Sequence, residues 1–414
     1  MPCGRQNVPP AAFITKRNLW RLKLWGKANF KGSLGVLVLS YPWLDWFHPD
    51  RLGAQLRRLL PFLKAMLAEA KRDSPHCTVG VMIDFLCLPQ KPFATEEDGA
   101  RFGVSLKAIN AWYFHQFTYT LLVTTPPPEG ADYSNTRLHR DRGWCFFEQA
   151  ASMVVKDDNC LLDFGAYEGA TEFGDYRAEP GTCIGQMKAG RKPPIAPDAF
   201  GERMRARVAS GELTFTANAD MGFVIGQYEA GFVAAINRVA ADPGEVARRL
   251  FFMKLGWGDA EAAELRLALQ YAAAKCAFPE GAVRVSVTLG NSISEEALAT
   301  LPPPATAPEL RIFWPARNVT LPVATPNASA APAPDGAHAA ELFRGLDGKH
   351  YLANCVIDDA KSMGYYSGTS YTNAMSIPSS CAHCKGNGDG CTHVGPNPHR
   401  LGSACRYPRW GECD

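Results

Sequence analysis

The residue best placed for chemistry is Glu148, which directly follows an aromatic stretch that contains Trp144 and Phe147. Partial burial beside such rings would raise the pKa of its carboxyl group. A carboxylate in these surroundings can stabilise or trap the oxocarbenium-like state that forms when a glycosidic bond breaks. The alternative is a structural role. In that case Glu148 lies in the first turn of a helix, where its negative charge interacts favourably with the helix dipole, or it pairs with Arg140 or Arg142.

A second group of polar and aromatic side chains stands where two apolar segments end. Asp84 closes one segment, and an acid there must bind a ligand or accept backbone N–H groups. Ser40 and Tyr41 close the other, where they could hydrogen-bond a sugar or simply terminate a strand. Trp43 could stack on a planar ring, but an aromatic residue beside a sheet also packs in cores. The candidate substrate-binding residues are therefore Ser40, Tyr41, Trp43, Asp84 and Trp144.

The cysteines divide into two groups. Seven of the 13 are scattered singly over the first 300 residues and are typical of small buried apolar side chains, whereas six lie between 355 and 413. In the second group Cys381 and Cys384 form a C-x2-C pair, followed by Cys391 and His393, a pattern that favours zinc in the cytosol. Further candidate ligands are Cys355, His399, Cys405 and Cys413. The alternatives are a metal-free, thiol-rich tail or, in an exported protein, a cluster of disulfides.

Apolar runs and amphipathic stretches alternate along the first part of the chain, and this alternation predicts the elements that position these residues. Strands are predicted at 34–40, 78–85, 119–124 and 160–164, and helices after Asp50 and at 104–117 and 143–155. The apolar face predicted for the first helix consists of Leu52, Leu56, Leu59, Leu60, Leu63 and Leu67. Such an order predicts an α/β fold with a parallel sheet covered by helices on both faces. The functional cleft of such a sheet lies outside the carboxyl ends of its strands.

Changes in composition suggest how the chain is divided. We expect an α/β domain at 14–180, a mainly helical region at 195–315, a Pro/Ala linker at 316–340 and a Cys-rich tail at 341–414. Around 289–298 the helical region contains one possible degenerate leucine-rich repeat, in which a strand turns at Asn291 into a helix. A repeat fold needs about three or more stacked units, so we expect a helical extension packed on the first domain.

Bulk properties exclude some classes of function. Among the 414 residues, 43 basic and 41 acidic side chains give a net charge of +2, which provides no basic surface to attract nucleic acid. No segment approaches the ~20 uncharged apolar residues of a membrane span, and the N-terminus has no signal-peptide core. The sequence therefore predicts a cytoplasmic protein with neither nucleic-acid binding nor a membrane span.

Three short motifs follow one another in the first part of the chain: LSYPW at 39–43, IDFLCLPQ at 83–90 and RGWCFFE at 142–148. The first resembles the first-strand signature of Toll/interleukin-receptor (TIR) and heterokaryon-incompatibility (HET) domains. The second is similar to the Ile-Asp, Leu-Cys and Gln pattern of HET domains. The third resembles the Trp-Cys-x-x-Glu helix of plant-type TIR domains and the Arg-x-Trp-x-x-x-Glu element of HET domains. The resemblance covers 34–164, which is under half of the chain.

This resemblance implies a flavodoxin-like signalling domain that forms homo-oligomers and binds protein partners. Many TIR members also cleave the nicotinamide–ribose bond of NAD, and the glutamate on which they depend maps onto Glu148. The loop at 88–102 is not the typical TIR loop, and 126–142 is longer than usual. Both segments flank the expected cleft, so we expect these differences from the family pattern to affect binding specificity and catalysis.

Two other interpretations remain open. One is a non-enzymatic module with the same fold that retains only self-association or protein docking. The other is a leucine-rich or zinc-dependent binding protein with a degenerate first domain, whose function would reside after residue 180. Loss of turnover without loss of fold in a Glu148→Gln variant would distinguish the enzyme from the docking module.

Overall fold

The computed structural model describes residues 5–15, 18–19, 21–22, 34–175, 178–216, 219–242, 248–278, 283–287, 289–301 and 310–313. All of them belong to one compact unit that extends from Met1 to Trp314. The predicted linker and the Cys-rich tail lie outside the described residues.

A four-stranded parallel sheet forms the centre of the first half of this unit. Its strands are β1 (Val36–Ser40), β2 (Gly80–Met82), β3 (Tyr119–Leu122) and β4 (Leu161–Asp163). They are arranged in the order β2-β1-β3-β4, and Val38 aligns with Met82 on one side and with Thr120 on the other. This is the flavodoxin-like α/β fold expected from the sequence. The chain changes direction across the sheet at β1, so the switch point of the strand order lies between β1 and β3. Sheets of this type bind ligands outside the carboxyl ends of the strands at such a point.

Helices cover this sheet and continue beyond it. They are α1 (Ala54–Asp73), α2 (Asp84–Cys87), α3 (Glu96–Ala108), α4 (Asn110–Tyr113), α5 (Gly143–Val155), α6 (Cys183–Met187), α7 (Pro197–Ala209), α8 (Asp220–Ala240), α9 (Asp259–Lys275) and α10 (Glu295–Ala299). Short 3-10 helices lie at Arg5–Asn7, Pro10–Ala12, His139–Asp141, Asp158–Cys160 and Phe164–Ala166. None of the described helices has both the length and the apolar character needed to cross a bilayer.

Successive residues of β1 face opposite sides of the sheet, as the pleat of a strand requires. Leu37 and Leu39 belong to an apolar cluster with residues of α1, whereas Val36 and Val38 belong to a second cluster with residues of α5 and α8. Every residue of β1 is buried, which explains why its sequence is a continuous apolar run rather than an alternating one.

The buried face of α1 differs from the leucine face predicted from the sequence. Leu59, Phe62, Met66 and Ala70 are at most 3% exposed. In contrast, the predicted face members Leu52, Leu60 and Leu67 are 42%, 42% and 40% exposed. The buried residues are also spaced three and four apart, so helical periodicity alone does not decide which side meets the sheet. The large side chains of Phe62 and Met66 determine it.

A second, smaller parallel sheet lies in the region predicted to be mainly helical. It consists of β5 (Arg249–Phe251), β6 (Val283–Ser286) and β7 (Leu310–Phe313), in that order. Asn291 fixes the turn between β6 and α10. Its side-chain oxygen accepts the N–H groups of Leu255 and Trp257, and its amide nitrogen donates to the carbonyls of Phe252 and Val287. The predicted strand–Asn–helix unit therefore has a physical basis, while its assignment as a degenerate leucine-rich repeat stays a prediction.

The two sheets share one hydrophobic core, which includes residues of β1, α5, α8 and β6. Arg191 is 1% exposed and joins them, because its guanidinium donates to the carbonyl oxygens of Met153 and Val154 in α5 and of Phe251 in β5. Its charge also lies 4.4 Å from the centre of the Phe252 ring. The helix that carries Glu148 is thus anchored at its C-terminal end.

Candidate functional site

Near the carboxyl ends of β1 and β2 the fold brings together four residues predicted from the sequence and one, Tyr113, that was not predicted. We call this group, which consists of Ser40, Tyr41, Asp84, Tyr113 and Glu148, the carboxylate cluster. Ser40 is the last residue of β1 and Tyr41 follows it, so the strand directs them to the edge where a parallel sheet binds ligands. Asp84 follows β2 and begins α2. The predicted strand at 78–85 therefore ends early, and its acid becomes the first residue of a helical turn.

Asp84 is held by three donors. The Tyr41 hydroxyl donates to its Oδ1 at 2.8 Å, the Phe85 N–H donates at 2.6 Å, and the Trp43 side chain donates a third hydrogen bond. Burial raises the pKa of Asp84, and these three hydrogen bonds oppose that rise. Trp43 also packs edge-on against Phe85, with ring centroids 5.4 Å apart. Trp43 and Asp84 are both half-buried, and the hydrogen bond between them holds the indole and the carboxylate together at the carboxyl ends of the strands.

Glu148 lies in the second turn of α5, not in the first turn that the dipole role requires. Its half-buried carboxyl group is hydrogen-bonded to the hydroxyls of Ser40 and Tyr113. Burial raises the pKa of Glu148 to about 8; the charge of Asp84 adds to the rise, and the two hydroxyl groups oppose it.

The arginines proposed as alternative partners of Glu148 bind elsewhere. Arg142 donates to the carbonyl oxygens of Asn135 and Arg137, and the Arg140 guanidinium lies 3.7 Å from Asp141. The described contacts of Glu148 therefore involve hydroxyl groups rather than a cation.

Trp144 precedes Glu148 by four residues, so the two lie on the same side of α5. Its indole N–H donates to Asp220 of α8 at 3.0 Å, and its ring packs against Phe147 and Phe223, each 6.1 Å away between centroids. Trp144 is half-buried in these contacts. The structure thus places this predicted substrate-binding residue between α5 and α8, next to the carboxylate cluster but bonded to other partners.

Two residues near Glu148 were not predicted from the sequence. Tyr113 lies in α4, is 2% exposed, and donates its hydroxyl proton to the carbonyl oxygen of Leu39 at 2.8 Å. His139 is 3% exposed, and its Nε2 lies 2.8 Å from the hydroxyl oxygen of Ser40. A tyrosine inside an apolar helical stretch signals a buried hydroxyl that needs a partner, but a single histidine in a loop gives no such signal.

A short loop beside the cluster presents two exposed aromatic residues. Backbone hydrogen bonds close it, from the Leu44 N–H to the Pro49 carbonyl and from the Asp45 N–H to the His48 carbonyl. At its tip Trp46 and Phe47 are 53% and 68% exposed. The loop is therefore a hydrogen-bonded turn that exposes apolar surface to solvent.

The predicted zinc ligands Cys381, Cys384, Cys391 and His393 lie outside the described residues, so zinc binding stays a prediction. Within the part of the chain that the structure describes, no three His, Cys, Asp or Glu side chains are grouped so as to hold a metal ion.

A cavity of about 140 Å³ lies away from the carboxylate cluster, next to the amino end of β3. Its lining includes His115, Phe117, Arg238 and Val239. Burial lowers the pKa of His115 to about 4, and the charges of Lys156 and Arg238 act in the same direction. The cavity and the carboxylate cluster are therefore separate features at opposite ends of the strands.

Comparison of the chain with known protein families, with curated proteins and with solved structures gives no match. The class of the protein therefore rests on its strand order and its helices, which are those of an α/β protein with a parallel, flavodoxin-like sheet.

Proposed function

We propose that this chain is an intracellular TIR/HET-like signalling protein whose α/β domain cleaves the nicotinamide–ribose bond of NAD, with Glu148 as the essential carboxylate. The observation that carries the proposal is the position of Glu148. It is half-buried next to Ser40 at the carboxyl end of β1 in a flavodoxin-like sheet, and it is hydrogen-bonded to Ser40 and Tyr113. The proposal also draws on the motif resemblance, which assigns the same residue.

The proposed reaction suits a site built around carboxylates. Nicotinamide leaves NAD as a neutral base, so no general acid is required. The ribose becomes oxocarbenium-like, and the ionised carboxylate of Glu148 stabilises that positive charge. Water then attacks the sugar carbon, and its proton passes to a cluster carboxylate and on to solvent. The products are nicotinamide, ADP-ribose and one proton.

The ionisation of Glu148 would limit this chemistry at neutral pH. With a pKa of about 8, about one tenth of the side chains carry the charge at pH 7. Turnover that depends on the carboxylate should therefore rise with pH and level off above about 8.

Nicotinamide release from NAD by the full chain tests the proposal. A fragment that ends near residue 180 would cut the shared core, so the full chain is the appropriate sample. We expect Glu148→Gln to lower turnover roughly 100-fold or more. A Glu202→Gln variant, which changes an exposed side chain of α7, should keep the wild-type rate. Because the resemblance implies a domain that forms homo-oligomers, the assay is run at high protein concentration, which favours assembly, and from pH 6 to 9. Equal rates for wild type and Glu148→Gln would refute the proposal.

The second candidate function is a non-enzymatic module that associates with further copies of this chain. The exposed Trp46 and Phe47 favour it, because adjacent exposed aromatic residues are typical of interaction surfaces. Sedimentation of the wild type and of a Phe47→Ser variant would test it. Dissociation in the variant, together with an absence of NAD cleavage in both proteins, supports this alternative.

A further inference from the structure

The Ser40 hydroxyl lies between a buried imidazole and the Glu148 carboxyl group. Its oxygen is 2.8 Å from Nε2 of His139, and it also hydrogen-bonds with Glu148. Ser40 and His139 are 0% and 3% exposed, so water does not compete strongly for either group. The three side chains come from separate parts of the chain, namely the end of β1, the 3-10 helix His139–Asp141, and α5.

Counting protons restricts how these groups can be arranged. A serine hydroxyl has one proton to donate, and an ionised carboxylate can only accept. If Glu148 is ionised, Ser40 donates to it, and the contact with His139 is a hydrogen bond only if Nε2 carries the imidazole proton. If Nε2 carries no proton, Ser40 donates to the imidazole, and the carboxyl group must supply its own proton. The tautomer of His139 is therefore linked to the charge of Glu148.

The surroundings of His139 keep it neutral, so it has one N–H to place. Burial lowers the pKa of His139 to about 4, and the charge of Arg142 acts in the same direction. The titratable side chains that act on Glu148 are Asp84 from α2, Tyr41 after β1, Tyr113 from α4 and Cys145 from α5. Among these, Tyr113 already donates its proton to the Leu39 carbonyl. Ser40 can therefore donate its proton to Glu148 and still keep its hydrogen bond with His139, provided that His139 is the donor in that bond.

We propose that His139 is a positioning residue for Glu148, which donates its Nε2–H to Ser40 and so directs the serine proton at the carboxylate. Its effect on NAD cleavage rests on the function proposed above, whereas the hydrogen-bond relay does not. This role could not be predicted from the sequence, because Ser40 and His139 are 99 residues apart and only the fold brings them into contact.

The test measures the charge of Glu148 directly in the full chain. The pKa of Glu148 is obtained by ¹³C NMR from the chemical shift of its carboxyl carbon as the pH is changed. The signal is assigned by its loss in Glu148→Gln. In His139→Leu we expect the pKa of Glu148 to rise by about one pH unit, since the serine is no longer directed to stabilise the carboxylate. His139→Gln, whose amide can still donate, should return it to within roughly 0.3 unit of the wild type. An unchanged pKa in a folded His139→Leu variant overturns the proposal.

A second comparison shows whether Ser40 carries the effect. Adding His139→Leu to Ser40→Ala should leave the pKa of Glu148 unchanged, because the link is already absent. A full-sized shift in the double variant would show that His139 acts by another route, and would overturn the relay.

A measurement on the wild type keeps the proposal testable even if a variant fails to fold. Above pH 8, ¹⁵N NMR should find the His139 proton on Nε2, and a proton on Nδ1 instead would refute the proposal. If the protein cleaves NAD, the midpoint of its pH profile should shift in His139→Leu by the same amount as the NMR pKa. If it does not cleave NAD, the NMR results still decide the relay.

Discussion

Replacing Glu148 with Gln should change how the stability of the fold depends on pH. In the folded chain the pKa of Glu148 is about 8, against an ordinary value of 4.5. Between these two values the folded state binds more protons at this site than the unfolded state does. The stability that Glu148 contributes is therefore fully present below pH 4.5 and is lost as the pH rises through 8. At about 1.4 kcal/mol for each pH unit, this difference corresponds to about 5 kcal/mol. That figure is an upper limit, because the half-buried side chain keeps some contact with water.

Gln cannot ionise, so a Glu148→Gln variant escapes this loss. Urea unfolding of the full chain at pH 6, 7.5 and 9 would measure it through the difference in free energy of unfolding between variant and wild type. We expect that difference to shift in favour of the variant by up to about 2.5 kcal/mol from pH 6 to 9, because about two of the pH units over which Glu148 loses its contribution lie in this interval. The other titrating groups are present in both proteins and cancel in the comparison. Glu202→Gln, which alters an exposed residue, should show no pH-dependent difference.

The opposite outcome is equally clear. If the stability difference between Glu148→Gln and wild type stays flat from pH 6 to 9, Glu148 ionises as an ordinary exposed acid. The reasoning from burial to proton affinity would then be wrong, and so would the expected pH dependence of NAD cleavage.

Two further perturbations test the packing that positions the site. A Cβ at Gly231 of α8 would lie 2.2 Å from the Phe114 ring, so Gly231→Ala should lower the free energy of unfolding by about 2 kcal/mol. Gly226→Ala in the same helix meets open space and should raise it by about 0.5–1 kcal/mol; equal effects at the two positions would contradict the close packing. The Nζ of buried Lys156 donates to carbonyl oxygens that include that of Thr118, and burial lowers the pKa of Lys156 to about 7. At pH 9 the neutral amine still donates to these carbonyls, and Lys156→Met should cost about 2 kcal/mol in urea unfolding, with a smaller cost at pH 6, where burial disfavours the charged form. A cost below about 1 kcal/mol at pH 9 would show that these carbonyls find other donors.

The parts of the fold that could be predicted from the sequence are those with a strong local signal. The apolar run at 34–40 predicted β1, and Gly143–Val155 forms the helix expected there. The helix predicted at 104–117 instead appears as Glu96–Ala108 and Asn110–Tyr113. Its true start has a local signal, because Thr95 accepts the Asp98 N–H and three acidic residues fill the first turn. The strands of the second sheet are three or four residues long, too short for periodicity to distinguish them from helical segments.

The candidate site was predicted by residue type, whereas its electrostatics depend on contacts that only the fold makes. Spacing along the chain places Ser40, Asp84 and Glu148 at the ends of different elements and says nothing of which hydroxyl meets which carboxyl group. The relation between Ser40 and His139 is likewise a tertiary contact. Local patterns could thus indicate where chemistry would occur, but not which group carries the proton.

The hydrogen bonds of the carboxylate cluster divide the roles of its two acids. Asp84 accepts three donors, from Tyr41, Trp43 and its neighbour Phe85, and these donors favour its ionised form. Glu148 has two hydroxyl partners, and each also contacts another group, His139 in one case and the Leu39 carbonyl in the other. Two nearby carboxylates resist ionising together, so the acid with fewer committed donors retains its proton to higher pH. Burial therefore raises the pKa of Glu148 to about 8, and the charge of Asp84 adds to the rise.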